Sequence, residues 1–99
     1  MVSEKAFTEK DKRVLEETPL RSEMAVPSEW IVREEAKPDE LLTVFVAPAD
    51  HADELQAACS CLRGAQDLTC PHALDVFNQI RAQEHILVQL FKRRNIATA

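Results

Sequence analysis

Three cysteines and one histidine form the densest group of chemically capable side chains in this sequence: Cys59, Cys61, Cys70 and His72. Thiolate sulfur and imidazole nitrogen are the ligands that Zn²⁺ prefers in proteins. A helix is predicted over Cys59 and Cys61, however, and residues two apart on a helix point in directions about 200° apart. The sequence therefore predicts no metal site and no cofactor, with Cys59 as a small core residue.

Cys70 is a candidate nucleophile, because it stands at the start of a predicted helix, where the helix dipole lowers the pKa of a thiol. His72 could act as its base, as in Cys/His catalysis. Positions so close together in a first helical turn point in different directions, and the single glycine of the chain leaves no material for an oxyanion loop or a phosphate loop. The sequence predicts that the protein is not an enzyme; a thiol or zinc enzyme centred on Cys70 is an alternative.

The composition excludes other classes of function. The chain has 99 residues and a net charge of −5, which predicts one small domain that does not bind nucleic acid, since affinity for phosphate comes mainly from Lys and Arg. Residues 1–12 are charged and lack the apolar segment of a signal peptide. No apolar run reaches the roughly 18 residues of a membrane span. We expect a cytoplasmic protein with reduced thiols.

Hydrophobic periodicity predicts the elements that would position these side chains. Residues 69–94 predict one long helix of about 24 residues, which spans about 36 Å. Before it, an apolar repeat at +3, +4 and +3 predicts a helix over residues 50–64, with Gly64 as its left-handed terminal residue. Residues 41–46 predict one strand, ended by Ala47-Pro48. Its partner could be Trp30–Val32, the same strand in a second copy, or another protein.

The predicted fold is mainly α: an N-terminal arm, one short β-strand and an antiparallel αα-hairpin with a long C-terminal helix. Residues 1–28 form the arm, which is weakly ordered apart from a helix near residues 9–17 behind a Thr8/Asp11 capping box. Residues 29–99 form a single helical-hairpin domain.

The predicted hairpin exposes more apolar surface than it covers, because the shorter helix spans only about 21 Å of the longer one. This surplus predicts a homodimer or a protein partner bound through an apolar helix face, and no membrane. The predicted partner-binding residues are Trp30, Val44, Phe45, Ile86, Leu87, Leu90, Phe91 and Arg94.

Leu42-Thr43-Val44 with Ala47-Pro48, followed by the run from Asp53 to Thr69, resembles a group of small pseudomonad proteins of unknown function. The size and plan are also similar to pseudomonad quorum-sensing antiactivators of the QslA type, which bind a LuxR-type receptor and block its dimerisation or its DNA binding. The resemblance implies a non-catalytic regulator that sequesters a transcription factor, with no functional residue carried over. A secretion chaperone or a small structural subunit of a larger assembly is the alternative.

Overall fold

The computed structural model describes residues 1–50 and 54–98, and it describes side chains as far as Lys92, which lies within the last helix. Its frame is a five-stranded antiparallel sheet in the spatial order β1-β5-β4-β3-β2. The strands are β1 (Val2–Ser3), β2 (Leu20–Val26), β3 (Glu29–Glu34), β4 (Leu42–Pro48) and β5 (Leu55–Cys59). The helices are α1 (Glu9–Glu16), α2 (Leu62–Ala65), α3 (Pro71–Ala82) and α4 (Glu84–Thr98), and a 3-10 turn spans Glu4–Ala6.

Alternating burial along the central strands shows how the sheet is covered. In β4, Val44 and Val46 are buried and Phe45 between them is exposed, as expected for a strand with one face on a core. Trp30 of β3 lies directly opposite Val44, so that β3 is the partner of the predicted strand. Among the three partners that the sequence left open, the structure selects the one within the chain.

Helices α3 and α4 pack on one face of this sheet and give a two-layer α/β fold, with α1 packed against α3. Side chains from β3, β4, β5, α3 and α4 form one core. The largest of its fully buried members are Trp30, Phe77, Leu55, Ile80, Ile86 and Leu90. The opposite face carries Ile31, Phe45 and Ala58, which are half-buried or exposed.

The prediction of a mainly α fold with a single strand is wrong. Residues 55–59 form β5, which pairs with β4 from Val44↔Cys59 to Pro48↔Leu55. Leu55 and Cys59 fit a helical repeat, but Leu55, Ala57 and Cys59 also alternate, and periodicity alone cannot distinguish the two in a short apolar run. Hydrogen-bonded pairing with β4 makes this segment a strand rather than a helix. The first residues of the predicted helix, 51–53, lie outside the described residues.

The predicted αα-hairpin is also wrong, because its long helix is two helices. Gln83 has φ −123° and ψ 85°, which is not helical, so α3 ends at Ala82 and α4 begins at Glu84. Gly64 is not a left-handed terminal residue either, since it lies inside the short helix α2. The left-handed conformation falls at Asp67, with φ 57°.

Two local predictions are confirmed. The helix α1 begins behind a capping box in which Thr8 and Asp11 each bond the other's backbone amide. The strand predicted over residues 41–46 is β4.

The predicted division at residue 28 separates β2 from β3, although the two strands pair from Leu20↔Glu34 to Val26↔Glu29.

Candidate metal centre

The structure brings together the four side chains that the predicted helix would have kept apart. The ligand atoms of Cys59, Cys61, Cys70 and His72 all lie within 4.8 Å of one another. In a tetrahedral zinc site the sulfur atoms are about 3.8 Å apart, because each Zn–S bond is about 2.3 Å. Small side-chain rotations would therefore bring the four donors to the spacing of a zinc site.

A bend in the chain turns Cys59 and Cys61 toward the same point. Cys59 is the last residue of β5 and points into the core. The chain then leaves the strand, and the Cys61 sulfur caps α2 by accepting a hydrogen bond from the Gly64 amide at 3.2 Å. Ser60 holds this corner against β4, because the Thr43 amide donates to its hydroxyl at 2.9 Å and its own amide donates to the Thr43 carbonyl at 3.0 Å.

The other two ligand candidates come from the start of α3. Cys70 precedes the helix and Pro71 is its first residue, a position where the fixed φ of proline favours the helix. His72 follows in the same turn, and both Cys70 and His72 are almost completely buried. The Arg63 guanidinium donates to the Thr69 carbonyl at 2.8 Å and so joins α2 to the segment before Cys70.

The single glycine of the chain permits this convergence. A Cβ atom at Gly64 would lie 2.3 Å from the Cys59 carbonyl oxygen and 2.7 Å from the Cys59 Cβ. Both distances are far shorter than van der Waals contact, and the carbonyl belongs to the backbone and cannot rotate away. Glycine is therefore required where α2 crosses the end of β5, and its role is close approach rather than a turn.

His72 is oriented by a carboxylate on one side and faces the thiols on the other. Its Nε2 lies 3.3 Å from Glu34 Oε1, at the end of β3. Its Nδ1 is buried and has no hydrogen-bond partner among the described residues. Leaving a buried polar atom unsatisfied costs about 1–3 kcal/mol, which coordination of a metal would offset. A histidine whose second nitrogen donates to a carboxylate is the usual arrangement of a metal ligand.

The ionisation of the cluster follows from its close contacts. A hydrogen bond from the Cys59 thiol lowers the pKa of Cys70, assisted by His72 and the Ala73 amide and opposed by burial. The same contact with Cys70, together with burial, raises the pKa of Cys59. Burial alone would lower the pKa of His72, but the neighbouring sulfurs of Cys70 and Cys61 raise it to about 9. The cluster thus has its anionic character at Cys70.

The predicted partner-binding residues are dispersed in the structure. Trp30, Val44, Ile86 and Leu90 are buried in the chain's own core, and the Trp30 indole donates to the Pro27 carbonyl at 3.0 Å. Leu87 and Phe91 are partly buried against that core. Phe45 is 50% exposed on the opposite face of the sheet. The side chain of Arg94 lies outside the described residues.

Sequence reasoning missed two members of this site, Glu34 and Gly64. Glu34 is remote in sequence from the cysteines, and only the packing of α3 against the sheet places it beside His72. A signal for Gly64 was present, because the lone glycine follows Cys61 closely. If residues 55–64 had been interpreted as a strand followed by a turn, the sequence would have predicted that Cys59 and Cys61 face one ion.

Fold and site together define a two-layer α/β domain with a Cys₃His cluster. No protein-family model, no curated protein and no solved structure matches the chain significantly. The resemblance to pseudomonad antiactivators therefore stays a prediction. Within the described ranges, no helix has both the length and the apolar character needed to cross a membrane.

Proposed function

We propose that this protein is a zinc-binding protein in which one Zn²⁺ is held by the sulfurs of Cys59, Cys61 and Cys70 and by His72 Nδ1. The observation that carries the proposal is the buried Nδ1 atom without a hydrogen-bond partner, in a group whose ligand atoms lie within 4.8 Å of one another. Glu34 would accept the Nε2–H hydrogen bond and fix the ring orientation.

The role that suits this ligand set is structural. Four protein ligands fill a tetrahedral shell and leave no position for a substrate or a water molecule, which is typical of structural zinc sites. The ion would tie the end of β5 and the start of α2 to the start of α3. A domain of 99 residues has a small core, so such a link contributes substantially to stability. The cytoplasm, which keeps thiols reduced, would be a suitable location.

Metal content tests the proposal directly. We expect protein purified under reducing conditions with Zn²⁺ to retain one equivalent per chain after gel filtration, measured by elemental analysis. His72→Ala removes one ligand and should reduce retained zinc to well below half an equivalent. Wild-type protein without zinc, or zinc retained equally by His72→Ala, would contradict the assignment.

Glu34→Gln tests the positioning of His72. The amide keeps the size of the side chain but removes its negative charge, so the zinc affinity should fall about 10–100-fold without loss of the fold. Competition with a chromophoric chelator measures the affinity. Glu35→Gln is the matched control, because Glu35 is the exposed neighbour and lies outside the cluster; its affinity should equal that of wild type. Equal affinities for all three proteins would exclude the role of Glu34.

A second candidate function is protein binding through the sheet face that carries the exposed Phe45, which retains the prediction of a homodimeric regulator. Phe45 is 50% exposed at the centre of this face, between Glu29 on β3 and Ala58 on β5. Charge complementarity points to a second copy as the occupant. A twofold axis across the strands near Ile31 would place Glu29 of one copy against Arg33 of the other, since both residues lie on this face of β3. Arg33 also pairs with Glu23 of its own chain at 3.5 Å.

The oligomeric state of a Phe45 variant tests this second candidate. Phe45→Asp places a charge at the centre of the proposed contact, so we expect a monomer where the wild type is a dimer, as measured by light scattering after gel filtration. Val88→Asp is the control, because Val88 is 55% exposed on α4 and lies away from this face of the sheet. A monomeric wild type would exclude the dimer.

A further inference from the structure

A pocket of about 160 Å³ lies directly beside the proposed zinc centre. Two of the four ligand candidates, Cys61 and His72, form part of its wall, whereas Cys59 and Cys70 do not. The remaining lining residues are Glu34, Lys37, Glu40, Leu42 and Leu62. Cys61 is half-buried, and the other two cysteines are only 6% and 4% exposed. Cys70 also borders a second pocket, of about 220 Å³, but it is almost completely buried. Cys61 is therefore the thiol of the cluster that is most accessible to molecules entering from solvent.

We propose that Cys61 is the reactive thiolate of the zinc centre and is alkylated, through this pocket, by small uncharged electrophiles that carry a leaving group on carbon. The inference rests on the proposed zinc function. It adds a specific modification site and a class of reactant to a centre whose other two cysteines are almost completely buried.

The chemistry needs no oxidant or reductant. Cysteine binds Zn²⁺ through a deprotonated sulfur, so the Cys61 sulfur in the zinc complex would carry lone pairs for attack on carbon. A sulfur lone pair forms the new S–C bond, and the leaving group departs with the electron pair of the bond that breaks. The product is a thioether, which carries no charge and binds zinc more weakly than a thiolate. Alkylation of Cys61 should therefore release the ion.

Charge determines which electrophiles the pocket accepts. Three thiolates and one Zn²⁺ give the centre a net charge of −1, and the pocket adds two carboxylates, Glu34 and Glu40, against one ammonium group, Lys37. The net negative charge of the zinc centre and the pocket repels anionic reactants. Neutral iodoacetamide should therefore react faster than iodoacetate, which has the same leaving group and carries a carboxylate.

The test uses full-length protein whose zinc content has first been measured. Iodoacetamide is added below one equivalent, and modified peptides are quantified by mass spectrometry while released zinc is followed with a chromophoric chelator. We expect at least about tenfold more label on Cys61 than on Cys59 or Cys70, and zinc release at the rate of alkylation. Equal labelling of the three thiols, or labelling of Cys70 first, would overturn this inference. It would not contradict the proposed zinc site.

Two charge variants test the route through the pocket. Glu40→Lys changes the local charge by two units, and we expect it to raise the iodoacetate rate at Cys61 about threefold. Glu35→Lys makes the same change at an exposed residue outside this pocket and should leave the rate near that of wild type. Equal rates for both variants would overturn access through the pocket. Protein without zinc would instead refute the proposed function.

Discussion

Removal of Zn²⁺ with a strong chelator is expected to lower the thermal unfolding midpoint of the wild-type protein by about 15 °C or more. A ligand that binds only the folded state at a thousand times its dissociation constant contributes about 4 kcal/mol to stability. In a domain of about 100 residues, each kcal/mol shifts the midpoint by about 4–8 °C. Calorimetry of the zinc-loaded protein with and without chelator, in the presence of a reductant, measures the difference.

His72→Ala provides the control for this measurement. Without its fourth ligand the variant should already unfold at a low temperature, and the chelator should shift its midpoint by no more than a few degrees. If the chelator leaves the wild-type midpoint unchanged, or shifts both proteins equally, the ion does not stabilise the fold through these four residues.

Leu90→Ala is expected to reduce the free energy of unfolding by about 2–5 kcal/mol, as large-to-small substitutions in cores do. Leu90 is 2% exposed and belongs to the same core as Ile86 and Phe77. Urea denaturation followed by circular dichroism measures the loss. The sequence predicted Leu90 as part of a partner interface, where truncation would weaken association and leave the stability of the monomer almost unchanged.

Val88→Ala is the matched control on the same helix. Val88 is 55% exposed, and its truncation should change stability by less than about 0.5 kcal/mol. A Leu90→Ala protein that unfolds at the wild-type urea concentration but fails to dimerise would show that Leu90 serves an interface rather than the core. Equal effects of the two substitutions would contradict the orientation of α4.

Local signals in the sequence were reliable where a short segment decides its own structure. The Thr8/Asp11 capping box involves groups three residues apart, and α1 begins behind it. The β-branched run before Ala47-Pro48 favours a strand, and β4 is formed there. Residues 55–59 are different, because their apolar positions satisfy both helical and strand periods. Their structure depends on the hydrogen bonds that β4 offers, and these come from another part of the chain.

The sequence by itself determined the ligand types of the candidate site and the absence of phosphate-binding glycine loops, since these depend on residue chemistry. It also determined the first helix and the central strand, since these depend on neighbours along the chain. Only the tertiary structure decided that Cys59, Cys61, Cys70 and His72 share one location and that Glu34 lies behind the histidine. The physical reason is that β-sheet pairing and the packing of α3 on the sheet join residues distant in sequence. A helix would have pointed Cys61 away from Cys59, whereas the bend at the end of β5 turns both side chains toward the same location.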